Sequence, residues 1–204
     1  MNEPTPTRDA EASRARIVAA AQRLFVARGF ADVSMREIAA AASVTKGLIH
    51  HHFGSKQALW EAAREHLFQR YFEEQKAELE AAPVADRKLL RDGVIKYFRY
   101  LQQHPEMVRL LAWSHLAGDD GEYRRDGELV RLGAERVRQA QAAGLIRDDV
   151  RPAHVVCTFI HACTHWFEAR SHHRHWPDVG DDQAYLDDFL KIFLDGLRPR
   201  PENT

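Results

Sequence analysis

Helix boundaries crowd between Gly29 and Ser55, and they constrain the fold more than any other feature of the sequence. A first helix, from about Ser13, carries Ile17, Ala20, Ala21, Leu24 and Phe25 at helical spacing, and Gly29 supplies its C-cap. Ser34 followed by Glu37 is a capping box: the serine oxygen accepts from an otherwise orphaned backbone N–H, and the glutamate reaches back to the cap. The second helix that starts there is nearly all alanine up to Ala42, so another helix can approach it closely. Ser43 and Val44 make a tight turn, Thr45 caps a third short helix that ends at Gly54, and Ser55 caps a fourth.

The same periodicity continues to the end of the chain, with no sustained strand-like alternation, and predicts an all-α fold of about nine helices. The fourth helix runs to about Ala82 with Pro83 as its stop, and later helices are expected over 86–103, 106–117, 122–143, 152–175 and 182–197. Pro152 suits the first turn of its helix, and Gly144 closes the one before it. The expected division is an N-terminal arm and helix-turn-helix domain over 1–54 and a larger helical bundle over 55–204. No apolar run approaches the roughly 18 residues that span a membrane, and no secretory h-region opens the chain, so a cytoplasmic protein is expected. The two cysteines, Cys157 and Cys163, fall on different faces of one helix, which argues against an intrachain disulfide.

Two helices of this length separated by a few residues have the dimensions of a helix-turn-helix, whose second helix enters the major groove of DNA. Overall charge does not help, because the chain carries a net −1. Its distribution does: residues 1–56 hold eight Lys and Arg against five Asp and Glu, a net +3 that leaves −4 on the remainder. The motifs Ser34-Met35-Arg36-Glu37-Ile38-Ala39, Val44-Thr45-Lys46-Gly47, His52-Phe53 and Ser55-Lys56-Gln57-Ala58-Leu59 resemble the signature of the TetR family across about residues 13–60. That resemblance implies a transcriptional regulator, usually a repressor. It would bind a palindromic double-stranded operator as a homodimer and be released by a small molecule held in the C-terminal domain.

By position, the resemblance assigns Arg36, Lys46, Gly47, His50 and His51 to base-edge or phosphate contact, with Thr45, His52 and Lys56 assigned to the backbone. The residue types suit the task. A helix N-terminus with a hydroxyl and a lysine favours an anion. Gly47 lets a sugar-phosphate chain come close, and Lys56, unfavourably placed in a first helical turn, gains from a nearby phosphate. Where the family usually has tyrosine, this chain has His50, which predicts operator affinity that changes with pH. His50, His51 and His52 are adjacent on a helix and point in different directions, so they do not converge on one metal.

The segment 152–175 holds six of the 12 histidines. Cys157, His161 and His165 recur every fourth residue with Glu168 beside them, a spacing that admits a metal-responsive regulator. First and third ligands two turns apart lie roughly 12 Å apart, however, and need a second helix to complete a site. No resident cofactor or metal is therefore expected. Tyr97, Arg109, Trp113, His161, His165 and Trp166 are the candidate effector-binding residues, offering aromatic walls and a few polar groups. Dimerisation is expected through the last two long helices, where Tyr185, Leu186, Phe189, Leu190, Ile192 and Phe193 exceed what one small domain buries. A helical enzyme lacks support, because no phosphate loop, nucleophile elbow or complete metal motif accompanies the acidic and histidine residues. A protein-only adaptor leaves the exposed Thr45-Lys46-Gly47 start without a purpose.

Overall fold

Apolar residues spaced three and four apart leave each segment one stripe to bury, and the computed structural model shows how the stripes meet. It describes residues 8–81, 87–116 and 124–199. Among the described residues every regular element is a helix: α1 (Arg8–Arg28), α2 (Met35–Ala42), α3 (Lys46–Phe53), α4 (Lys56–Ala81), α5 (Arg87–Gln103), α6 (Pro105–Leu116), α7 (Arg124–Ala142), α8 (Pro152–Glu168), α9 (Arg170–His173) and α10 (Asp182–Gly196). The all-α expectation holds. The N-terminal arm 1–7, the Pro83 stop and the start expected near residue 122 lie outside the described residues.

Two compact units divide the chain. The first takes in residues 8–70 and 109–116. Its core is built by α1 through Ile17, Ala20, Ala21 and Phe25, by α2 through Ile38, Ala39 and Ala42, and by α3 through Ile49. Leu59, Trp60 and Ala63 of α4 and Leu110 of α6 complete it. The small faces of α1 and α2 let those helices approach, and the volume left is filled by aromatic rings. Trp60 meets Phe25 edge-on at 5.0 Å between centroids and Phe30 at 5.7 Å. Gly29, at φ +78°, turns the chain out of α1 where any Cβ would stand 2.8 Å from the Trp113 ring, so glycine is required twice over. α1 begins at Arg8, earlier than the apolar stripe implies, and Asp9 and Glu11 suit the positive end of that helix.

The second unit takes in the described residues 71–81, 87–108 and 124–199. Here α8 packs against α5 and α7, and α10 against α5. Buried Val94, Phe98, Val137, Val155, Phe167 and Leu190 contribute to its interior. Pro152 opens α8 as expected, but the single helix expected over 152–175 is broken: α8 ends at Glu168, and α9 follows after Ala169 at φ −90°, ψ 9°. The break coincides with a knot of tertiary bonds. Asp182, next to the Asp181 cap of α10, accepts from Trp166 Nε1 at 3.0 Å, from Gln102 Nε2 at 2.9 Å and from the Arg170 guanidinium. His173 stacks on Trp166 at 4.7 Å.

Candidate nucleic-acid interface

Local hydrogen bonds fix α2 and α3 before any tertiary contact is counted. Ser34 N donates to Glu37 Oε2 at 2.8 Å, and Glu37 N donates to Ser34 Oγ at 3.2 Å, which completes the capping box. Arg28 at the end of α1 donates to the other carboxylate oxygen at 2.8 Å. The bond from Arg28, and then those from Ser34, hold the Glu37 carboxyl down at about 2. A carboxyl depressed in the folded state stabilises it fully above the ordinary value near 4.5 and loses that contribution as pH falls toward 2. Glu37→Gln is therefore expected to lower the thermal midpoint at neutral pH and to lower it progressively less across that acid range. A gap between variant and parent that stays constant with pH would show that the charge on Glu37 is not what holds α2 to α1.

The turn is equally determined. Ser43 takes the left-handed conformation at φ 55°, ψ 47°, with its N–H directed to Ala39 O and Ala40 O, and Val44 N donates to Ala39 O at 3.0 Å. Thr45 Oγ1 then accepts from Leu48 N at 3.2 Å and starts α3. Ile49, fully buried, pins α3 to the core, with Leu48 and Phe53 half-buried beside it. This rotation leaves Thr45, Lys46, Gly47, His50 and His51 exposed, together with Arg36 on α2. Gly47 is informative: a Cβ there would meet only Thr45 Oγ1, at 3.8 Å. The protein's own packing does not need glycine, although glycine in a helix costs about 1 kcal/mol relative to alanine.

Two expected contact residues are placed in ways the spacing could not reveal. Lys56 turns back so that its ammonium donates to Ala31 O at 3.3 Å and lies 4.4 Å from the Phe30 ring centroid, and its burial there lowers its pKa. It ties the α1–α2 connection to the start of α4. His52 is half-buried, with Nε2 sealed from solvent and without a hydrogen-bond partner. Burial lowers its pKa, and the nearby His51 and Arg14 act in the same direction. Arg14 of α1 lies 5.2 Å from the Phe53 centroid.

His50 sends Nδ1 to Gly54 O, 2.9 Å away, where Gly54 at φ 72° ends the helix. One electrostatic signal was also open to sequence reading: no acidic residue occurs between Glu37 and Glu61. The exposed side of α3 therefore presents cationic and neutral polar groups alone, which is what a polyanion requires.

Residues 17–63 match the family model described as bacterial regulatory proteins, tetR family, and residues 90–187 match that of the tetracyclin repressor-like C-terminal domain. The chain belongs to the TetR family. Among relatives of this TetR-family regulator, the HTH-type transcriptional repressor NicS of Pseudomonas putida is 28% identical, over 93% of this chain and 94% of that protein. The HTH-type transcriptional repressor SCO4008 of Streptomyces coelicolor is 29% identical, over 78% of this chain and 80% of that one. The fold is shared with FadR of Bacillus subtilis, crystallised with stearoyl-CoA, at a TM-score of 0.69 and 16% identity, covering 90% of this chain and 99% of that one.

The remaining candidate residues of the TetR-family chain fall in both units. In the first, Arg109 donates to Ala27 O at 3.4 Å and Trp113 packs on the core beside Gly29. In the second, buried Tyr97 shares a 2.8 Å hydrogen bond with Thr164, and Trp166 stacks on Tyr185 at 3.9 Å besides bonding Asp182. His161 and His165 are exposed, and His165 Nδ1 lies 3.8 Å from Glu168. Among the described residues no three His, Cys, Asp or Glu side chains gather closely enough to hold a metal ion, and the metal-responsive alternative has no support.

Proposed function

We propose that this regulator is a repressor that binds a palindromic operator as a homodimer, with α3 of each protomer in the major groove, and leaves it when a small molecule binds. The observation that carries the reading is the exposed, acid-free face of a capped and pinned α3. Arg36, Lys46, Gly47, His50 and His51 face the duplex. Thr45 and Lys56 contact phosphates, Lys56 with the N–H donors left after Ala31 is served. His52 supports α3 from within its packing. Residues 1–54, joined by Lys56 at the start of α4, carry this surface, and 55–204 otherwise carry effector binding and dimerisation.

NicS and SCO4008 are named repressors, and FadR is named with an acyl-CoA, which supports repression and control by a small organic effector. Tyr97, His161, His165 and Trp166 of the second unit remain the proposed effector contacts. For the dimer, the last long helices are favoured because Ile192 of α10 is 74% exposed, apolar area that a partner would remove from water. The protein acts in the cytoplasm by binding rather than by catalysis. Footprinting on the DNA upstream of its own gene is expected to show a protected palindrome, lost in Lys46→Ala. Absence of protection by folded protein would refute the reading.

A further inference from the structure

We propose that His50 docks on operator DNA as an imidazolium, so that each protomer takes up a proton when it binds. The inference rests on the reading that the outer face of α3 meets DNA, and it gives that surface a chemical state. His50 is exposed, and its Nδ1 is 2.9 Å from the carbonyl oxygen of Gly54. A carbonyl has no hydrogen to give, so this bond exists only when Nδ1 carries the proton. A neutral imidazole has one N–H in total. With that hydrogen committed to Gly54, Nε2 is left with a lone pair.

Phosphate oxygens also only accept, so neutral His50 confronts the DNA backbone with acceptor against acceptor. Adding a proton to Nε2 converts the clash into a charge-assisted N–H···O⁻ bond without disturbing the bond to Gly54. The same holds for guanine, whose major-groove edge offers N7 and O6 as acceptors. Tyrosine, the family's usual residue here, carries a hydroxyl hydrogen at neutral pH and needs no such step. Gly54 caps the C-terminal end of α3, where a helix favours a cation.

The surroundings fix the sign. The titratable groups beside His50 on its own helix are Lys46, His51 and His52. From the elements packed near α3, α1 brings Arg14, the α1–α2 pair brings Arg28 bonded to Glu37, and α4 begins with Lys56 bonded to Ala31. Two carboxylates lie near: Glu37, already engaged by Arg28 and Ser34, and Asp32 of the α1–α2 connection, whose charge acts on Lys56. The anion that pairs with a protonated His50 is therefore supplied by the nucleic acid. His52 acts in the opposite sense. Its lowered pKa means that the folded state resists its protonation, so falling pH weakens the packing of α3 rather than its grip on DNA.

The probe is a duplex selected by the purified full-length protein from a random-sequence library. Affinity of the parent protein is expected to weaken by about tenfold or more for the dimer between pH 6 and 8, the range in which imidazoles titrate. His50→Gln and His50→Tyr keep a hydrogen-bond donor that does not titrate in this range, and both are expected to bind with a much flatter profile. Calorimetry in two buffers of different ionisation enthalpy reads the proton directly: net uptake on binding by the parent, and its loss in His50→Gln. Circular dichroism across the same pH range separates any unfolding linked to His52. Equal pH slopes and equal proton uptake in parent and His50→Gln would overturn the proposal while leaving DNA binding intact. Failure to select any duplex would remove the DNA-binding reading itself, and the proposal with it.

Discussion

Replacing Trp60 with alanine is expected to cost about 3–5 kcal/mol of folding free energy and to abolish DNA binding at physiological temperature. The side chain is 1% exposed, in the core that α1, α2, α3 and α4 share. Its indole meets Phe25 edge-on and Phe30 at a steep angle, so truncation removes two ring contacts as well as buried area. The hole would open between Phe25 of α1 and Phe30, beside a connection that the α2 cap at Ser34 already holds in place, which limits collapse around it. A domain of ordinary stability has about 5–15 kcal/mol in all, so one such loss is a large share. Chemical denaturation followed by helical circular dichroism measures it. A cost below about 1 kcal/mol, the level of a typical surface change, would mean that α4 does not complete this core. Trp60→Phe, which retains an aromatic ring, is expected to recover part of the loss.

The same core explains why the first unit was so legible. Each boundary from Gly29 to Ser55 is set within a few residues by a capping side chain or a left-handed turn. Ser34 with Glu37, Thr45 with Leu48 and Ser55 with Ala58 are all separated by three positions. Chemistry of that range is written in the sequence itself. Part of the exposed face of α3 followed for the same reason, since Gly47 stands on the side of the helix opposite the inward-turned Ile49.

What spacing missed is long-range or directional. The break at Ala169 accompanies bonds from Trp166, Arg170 and Gln102 to Asp182, the last across 80 positions, and no periodicity within 152–175 contains them. The place of Lys56 in a first turn points to a phosphate, but spacing does not reveal that Ala31 O, 25 positions earlier, takes one of its N–H donors. The bond from His50 to Gly54 spans only four residues. Even so, its meaning depends on which nitrogen faces the carbonyl, and that is a matter of rotamer. Residues proposed for the effector are hardest to read, because aromatic side chains such as Tyr97 and Trp166 serve a helical interior and a ligand equally well.

Raising the salt concentration is expected to weaken operator binding steeply. If the two protomers together neutralise about six to ten phosphates, affinity falls roughly 10³- to 10⁵-fold between 50 and 200 mM monovalent salt. The cause is release of counterions condensed on the duplex, with a slope of about −0.9 in log K against log salt for each phosphate engaged. A chain with net charge −1 has no global attraction for DNA to fall back on, so the effect must originate on a local surface, that of Arg36 and the acid-free stretch between Glu37 and Glu61. That makes the slope divisible by mutation. Lys46→Ala removes one exposed cation from each α3 and is expected to flatten the slope by about two per dimer, with binding weakened similarly on all sequences. Lys56→Ala is expected to do something else as well: it frees Ala31 O and uncovers Phe30, so it lowers thermal stability along with affinity, whereas Lys46→Ala leaves stability near that of the parent. Fluorescence anisotropy against a labelled operator across a salt series provides both numbers. A profile that is flat in the parent would refute the DNA-binding reading, and a slope unchanged in Lys46→Ala would place the phosphate contacts somewhere other than Lys46.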